Sequence, residues 1–415
     1  MRVSKEELVA VLAQFNPWWR GEPISDLPSF RRAAFRELHE WMAAPPAPRA
    51  VLLSGARQIG KTTLLLQAAD ALLRAGVPAA NILYATFDHP VLKLAGIDAV
   101  IDAWREREPR AEGPEYLLLD EAQFIRDWGT WVKHQVDFRK DRRIAFTGSA
   151  MPLVEADQES GVGRWHTIRL TTLSFYEYLQ IKRLQLPELP RLRSLRDLFD
   201  WAPADFYRTT ERASAYVGHF HEYLVRGGFP QTAQVDSITH AQRLLREDII
   251  DKVLKRDMTA LFGVRRVLDL EHTFLYLCLH DGGLLDMVDL CANLEVKRPT
   301  AQHFIELLEA THLIYRLPPH GYGKDVLRAR FKIYLADAAI DSFLEQFLRE
   351  AMTANGLGYV GGDDFGLVCL SKRGSVNEEQ RAAVEAWLKG RDELVDFTAS
   401  PLIDVWYPDN SINQA

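Results

Sequence analysis

Cysteine is scarce: Cys278, Cys291 and Cys369 are the only three in 415 residues. So few and so scattered, they exclude a disulfide scaffold and a zinc site of paired C-x-x-C type. Long apolar runs are missing too, and no stretch reaches the ~18 residues of a membrane-spanning helix. The opening MRVSKEELVA carries Glu6 and Glu7 where an export signal needs an apolar run. Neither sign of charge dominates, since 50 Lys plus Arg against 57 Asp plus Glu leave −7. Binding to nucleic acid therefore requires a local basic patch. Repeats and low-complexity segments are absent as well. What remains is an ordinary globular balance, 47% hydrophobic and 26% charged. At ~150 residues per domain the length suggests two or three domains, and the expectation is a reduced, cytoplasmic, multidomain protein.

Residues 1–45 read as a helical segment broken at Asn16-Pro17-Trp18-Trp19. Ala44-Pro45-Pro46-Ala47-Pro48 cannot continue a helix and marks a boundary. Across 46–175, short apolar runs at 50–54, 82–87, 116–119 and 144–147 alternate with amphipathic stretches at 62–74 and 128–138. That alternation predicts an α/β fold with a parallel sheet. Residues 176–265 are mostly of helical pattern, with a basic, proline-bearing stretch at 181–196 that reads as a solvated loop or helix face. Residues 266–335 form a second compact unit, and 336–415 mix helical and strand-like runs.

Gly55-Ala56-Arg57-Gln58-Ile59-Gly60-Lys61-Thr62, followed by Thr63, fits the phosphate-binding pattern G-x-x-x-x-G-K-[ST]. The glycines let the backbone curl so that successive N–H groups face an anion. Lys61 is placed to reach the β- and γ-phosphates of ATP, and the Thr62 hydroxyl to ligate Mg²⁺. The helix that follows turns its positive end toward the same anion. Tyr116-Leu117-Leu118-Leu119-Asp120-Glu121 ends in two acids, 59 residues after Lys61 by 120 − 61. At the carboxyl end of a strand, Asp120 suits Mg²⁺ and Glu121 suits a general base acting on water. A helix cap is the bland alternative for the pair. The run 144–147 leads into Gly148-Ser149-Ala150, where Ser149, with Thr147 as runner-up, is the residue expected to meet the γ-phosphate or the water. Arg164, after Gly163, is either a surface arginine or a finger acting on a neighbouring subunit's nucleotide, which implies a homo-oligomer.

The chain has no N-K-x-D for guanine and no L-S-G-G-Q transporter signature. Asp120-Glu121-Ala122-Gln123 and Thr147-Gly148-Ser149 echo helicase motifs, but nothing after residue 175 looks like a second helicase lobe. A different set of residues appears in a telling order. It runs Asn16-Pro17-Trp18-Trp19, Gly55 to Thr63, Asp120 to Gln123, Trp128, Thr147-Gly148-Ser149, Leu173-Ser174-Phe175-Tyr176-Glu177-Tyr178, Gly227-Gly228-Phe229-Pro230 and Lys332 to Asp337. In this order the chain resembles the bacterial and archaeal AAA+-type ATP-binding proteins with a C-terminal domain of unknown function. The resemblance covers roughly residues 16–345. It implies a sheet of AAA+ topology, a helical lid, a winged-helix module and a functional role for Arg164.

Residues 284–317 read helix, turn, helix, strand, the spacing of a helix-turn-helix reader. Over 281–320 six acids face only Lys297, Arg298 and Arg316, whereas Lys324, Arg328, Arg330 and Lys332 supply a basic wing. DNA or RNA and a protein contact therefore both stand as partners. The resemblance also implies a tail like a restriction-endonuclease core. Glu345 and Asp396 match its first two acids, but no lysine follows Asp396, so active nuclease chemistry is not expected. His219, His221 and Glu222 read as a helix surface in preference to a metal site.

Overall fold

In the computed structural model the described residues are 3–148, 163–319, 330–341, 357–361, 366–370, 376–390 and 399. The chain divides into two compact units. One is Met1–Leu184 with Ile305–Tyr315, and the other is Gln185–Phe304 with Arg316–Ala415. Residues 176–184 and 305–315, grouped by sequence pattern with later segments, thus pack with the first unit.

The first unit is built on five parallel strands: β1 (Ala50–Gly55), β2 (Ile82–Thr86), β3 (Glu115–Asp120), β4 (Arg142–Gly148) and β5 (Trp165–Leu170). Their order is β2-β3-β4-β1-β5. β1 and β3 are buried at every position, as strands covered on both faces must be. The helices are α1 (Lys5–Phe15), α2 (Ala34–Ala43), α3 (Lys61–Arg74), α4 (Pro90–Ala95), α5 (Ile97–Arg107), α6 (Trp128–Phe138) and α7 (Phe175–Ile181). Leu8, Leu12, Trp104, Trp128 and Phe146 belong to one buried cluster between these layers. Because β4 lies between β1 and β3, its carboxyl end falls between the phosphate loop and the acids.

The Asn16-Pro17-Trp18-Trp19 motif seals an edge. β2 is the outermost strand on its side, and its free backbone groups invite pairing with another chain. Asn16 is fully buried and acts as a piece of strand, accepting from the Tyr84 N–H at 2.7 Å and donating to the Tyr84 carbonyl at 2.8 Å. The indoles of Trp18 and Trp19 both donate to the Ile82 carbonyl, at 3.1 and 3.0 Å.

In the second unit, Pro203–Arg226 forms a 24-residue helix. Its last residue, Arg226, is buried and reaches Glu222 at 2.9 Å and the carbonyls of Thr232 and Asp236 at 3.2 and 2.9 Å. Two motifs of the resemblance meet just beyond it. Asp337 accepts from the Gly228 N–H at 2.7 Å and from the Ala339 N–H at 3.0 Å. Gly227 has φ 85°, and a Cβ there would lie 2.9 Å from Asp337 Oδ1, so only glycine fits. Helices Val267–Cys278 and Met287–Asn293 follow in the same unit. Helix Arg298–Ala310 leads to strand Ile314–Leu317, which pairs with Lys332–Leu335. Farther on, Leu357–Gly361 and Gly366–Leu370 form an antiparallel pair, and Glu378–Lys389 is a helix capped by Asn377. No described helix is long and apolar enough to cross a membrane.

Candidate functional site

The phosphate loop joins β1 to α3 through conformations that its glycines and Gln58 supply. Gly60 has φ 96° and Gln58 has φ 58°, both left-handed. A Cβ on Gly55 would stand 2.5 Å from the Leu170 carbonyl of neighbouring β5, so close strand packing excludes a side chain there. Ala56 and Ile59 are buried and pin the loop to the core. Lys61 is buried as well and folds back onto the loop, donating to the Gly55 and Ala56 carbonyls at 2.9 and 2.8 Å. The cation thus sits at a helix N-terminus, the end of a helix whose free N–H groups favour an anion.

Asp120 lies at the end of β3 and gathers three hydroxyls. Thr62 donates to its Oδ2 at 2.8 Å, Tyr84 to the same oxygen at 3.0 Å, and Thr147 to Oδ1 at 2.5 Å. Thr62 and Asp120, each expected at Mg²⁺, meet here in a direct hydrogen bond. Burial, and after it the Asp120 charge, pushes the Tyr84 phenol well above its ordinary pKa, so it remains a donor. Glu121 adopts φ 54°, and its N–H donates to Thr147 Oγ1 at 2.9 Å. Burial raises the Glu121 carboxyl above the usual range, and Asp120 adds to the rise. Lys61, the Gln123 amide and Arg57 act against it. A carboxyl raised in this way takes up a proton more readily than an exposed one.

Thr147 therefore links the two acids, whereas Ser149 lies outside the described residues, as do Glu345 and Asp396. Arg164 sits elsewhere. It precedes β5 at the end where Trp165 pairs with Ala50, and Asp137 of α6 holds its Nε at 2.8 Å. β1 separates that end from Gly55 by five residues, about 17 Å at ~3.3 Å per residue. Arg164 is thus remote from the loop of its own chain. His219 lies 3.8 Å from Glu222, whose carboxylate also binds Arg226, and no metal-like group of three His, Cys, Asp or Glu occurs among the described residues.

Residues 47–179 match a family model described as an AAA domain, and 217–349 match a domain of unknown function (DUF8612). Residues 47–179 are thus a P-loop domain of AAA+ type, and a domain of unknown function follows it in the chain. Residues 322–407 also match a model described as YggL 50S ribosome-binding protein. Among curated relatives, an uncharacterized protein of Haemophilus influenzae is 26% identical over 298 residues, covering 69% of this chain and 66% of the relative. Uncharacterized protein MJ1637 of Methanocaldococcus jannaschii is 27% identical over 309 residues, covering 71% and 62%. The AAA+ chain thus spans just under two thirds of the length of these relatives. Similar solved structures include domain III of the Thermotoga maritima replication initiation protein DnaA, at 17% identity and TM-score 0.28, covering 56% of this chain and 96% of that one. AMPPCP-bound DnaA from Aquifex aeolicus aligns at 14% identity and TM-score 0.25, covering 66% and 84%.

Three residues of the AAA+ site escape sequence reasoning. Tyr84 looks like core in an apolar strand, and only the sheet order brings its hydroxyl to Asp120. Arg32 is buried and bridges Glu177 at 3.0 and 3.1 Å, while also donating to the carbonyls of Ile59 in the loop and Thr171 at 3.2 and 2.8 Å. Burial disfavours the Glu177 charge, yet Arg32 and the N–H groups of Ser174 and Ala33 hold the carboxyl below its usual range. His312 comes from far along the chain to place Nε2 3.1 Å from Ser54 Oγ, one residue before Gly55. Its burial, with Lys61 and Arg169 nearby, lowers its pKa to about 4, so the ring is neutral at physiological pH.

Proposed function

We propose that this AAA+ protein is a Mg²⁺-dependent ATP hydrolase that couples turnover to its C-terminal modules. The observation that carries the reading is the meeting of Thr62 and Asp120 at 2.8 Å, with Glu121 next in the chain. A hydroxyl and a carboxylate at one point are the hard oxygen donors Mg²⁺ accepts. The bound ion would neutralise charge on the phosphate oxygens. The chain does the rest. Backbone N–H groups from Gly55 to Thr63 cradle the phosphates, and Lys61 turns from the loop carbonyls to the β- and γ-phosphates. Glu121 takes the proton of the attacking water. Thr147 fixes the relation of Asp120 to Glu121, and Ser149 remains the further residue for the γ-phosphate. Arg164, remote from its own loop, acts on the nucleotide of a neighbouring copy, which makes the working species a homo-oligomer.

Helix Met287–Asn293, helix Arg298–Ala310 and the strand pair after them support reading this region as a winged helix with a nucleic-acid or protein partner. The likeness of 322–407 to a model described as a 50S ribosome-binding protein supports including ribosomal material beside DNA among the partners to test. A cytoplasmic setting suits Cys278 and Cys291, neither of which is in a disulfide. The second reading, a nucleotide-gated switch with incidental turnover, is favoured by His312, which ties a distant segment to the residue before the phosphate loop. Steady-state phosphate release with and without Mg²⁺, DNA and ribosomal RNA separates the two. A motor is stimulated by polymer, and a switch hydrolyses slowly whatever is added. No ATP-dependent phosphate release and no ATP binding would end both readings.

A further inference from the structure

The opposite end of the sheet from the phosphate loop has its own character. Arg49 precedes β1, Arg139 and Lys140 follow α6, and Arg142 and Arg143 open β4. Together with Trp41 these five cations line one recess. The nearby acids are already engaged. Glu115 holds Arg105 and Arg142 at 2.7 and 2.6 Å, Asp137 holds Arg164, and Asp141 holds Arg110. Arg49, Arg139, Lys140 and Arg143 have no carboxylate partner among the described residues. Arg143 Nε is buried without any hydrogen-bond acceptor. Lys140 also meets the Val136 carbonyl at 3.0 Å, an ordinary contact at a helix C-terminus. Helix capping explains that one contact but not the five-membered cluster in a chain of net charge −7.

Aromatic surface flanks the cations. Phe138, the last residue of α6, is 72% exposed and has His134 beside it, ring centroids 4.9 Å apart. Trp41 stacks on His166 at 4.4 Å, the rings within 12° of parallel. Cations that track a phosphate backbone, next to open rings on which bases stack, make up the recognition surface of single-stranded nucleic acid. A duplex buries its base faces and leaves an exposed Phe138 without a partner, and an acidic peptide does not require flat rings.

We propose that the amino-terminal end of the sheet, centred on Arg49, Arg139, Lys140, Arg143 and Phe138, is a binding site for single-stranded nucleic acid, separate from the nucleotide loop. The reading does not rest on ATP hydrolysis, because binding is measured with no nucleotide present. Fluorescence anisotropy of a labelled 20-nucleotide oligo-U, with oligo-dT alongside to tell RNA from DNA, is followed over a salt series with the full-length chain. Two variants divide the effect. Replacing Arg49, Arg139 and Lys140 together by serine should weaken binding at least tenfold at 0.1 M salt. It should also make the slope of log K against log salt shallower by about 2, at ~0.7 per phosphate contact. Phe138→Ala should weaken binding by ~5–150-fold and leave the slope alone. ATP affinity should stay unchanged in both, which reports that the domain is folded. An unchanged affinity and slope in the triple variant would place the strand elsewhere on the chain and overturn the proposal. So would a wild-type protein that ignores both oligonucleotides, or one that binds polyglutamate equally well with no effect of Phe138→Ala. Should the triple variant fail to fold, Phe138→Ala alone still decides, since only a stacking site loses affinity without losing salt dependence.

Discussion

The two ends of the five-stranded sheet solve opposite electrostatic problems with the same strands. At the carboxyl ends, Asp120 accepts from the hydroxyls of Thr62, Tyr84 and Thr147 with Glu121 beside it, and the buried Lys61 rests on neutral carbonyls. At the amino ends, Arg49, Arg139, Lys140 and Arg143 stand without carboxylate partners among the described residues. The first end ties its acids into hydroxyl and amide hydrogen bonds, a compact arrangement that suits the small polyanion proposed for it. The second leaves charge uncompensated over a wider surface, as suits an extended polyanion. A parallel sheet allows this division because each strand carries residues to both rims while its middle stays apolar.

The largest expected effect breaks the loop end alone. Lys61→Ala removes the charge meant for the β- and γ-phosphates, and ATP binding should fall below detection in a calorimetric titration. Micromolar binding retained by this variant would put the phosphates elsewhere. Next comes Glu121→Gln. It should bind ATP like the parent but hydrolyse it ~10²–10⁴-fold more slowly, since an amide takes up no proton. Parent-like turnover would remove Glu121 as the base. The third prediction joins the two ends. If the amino-terminal rim of one copy meets the loop of the next, Arg164→Ala should spare affinity and cut turnover. Arginine fingers contribute ~10³–10⁵ in rate, so even a partial role is visible. Mixing Arg164→Ala with Glu121→Gln should then restore activity at interfaces that pair an intact base with an intact arginine. No recovery on mixing, with a monomer by light scattering in ATP, would take Arg164 out of a trans mechanism.

How legible these features are in the sequence depends on the distance over which they are encoded. The loop, β1, α3 and the Asp120–Glu121 pair are local, and strand runs with glycine or acid at their ends announce them. α6 runs over 128–138 as its periodicity predicts, whereas β4 begins at Arg142, two residues before its apolar run. Hydropathy does not register charged residues at a strand's opening. Asn16, Trp18 and Trp19 are visible as a motif, but their work of closing the β2 edge depends on which strand is outermost, and a single sequence does not state that. Tyr84 and Arg32 are invisible for the same reason, since the partners of Arg32 lie up to 145 residues away. The run Arg139-Lys140-Asp141-Arg142-Arg143 is visible as a basic stretch, but overall charge does not single it out, and only the sheet brings Arg49 and Trp41 beside it.

The smallest effect concerns His312, which reaches the loop end from the far part of the chain. His312 is buried beside Lys61 and Arg169, and its pKa is lowered to about 4, while the unfolded chain titrates it near 6.5. Below about 6.5 the unfolded state takes up a proton that the folded state refuses. Stability from a neutral His312 is therefore complete above that pH and declines as pH falls toward 4. Across pH 7 to 5 the loss is on the order of 2 kcal/mol. Glu177, held below its usual range by Arg32, gives up its contribution only at lower pH, so the two windows separate. His312→Gln keeps a group able to hydrogen-bond Ser54 but not one that titrates. Urea unfolding followed by tryptophan fluorescence at pH 7 and pH 5 should show a larger drop in the midpoint for the parent than for this variant. An equal drop in both would mean that the ring is not held neutral against the phosphate loop.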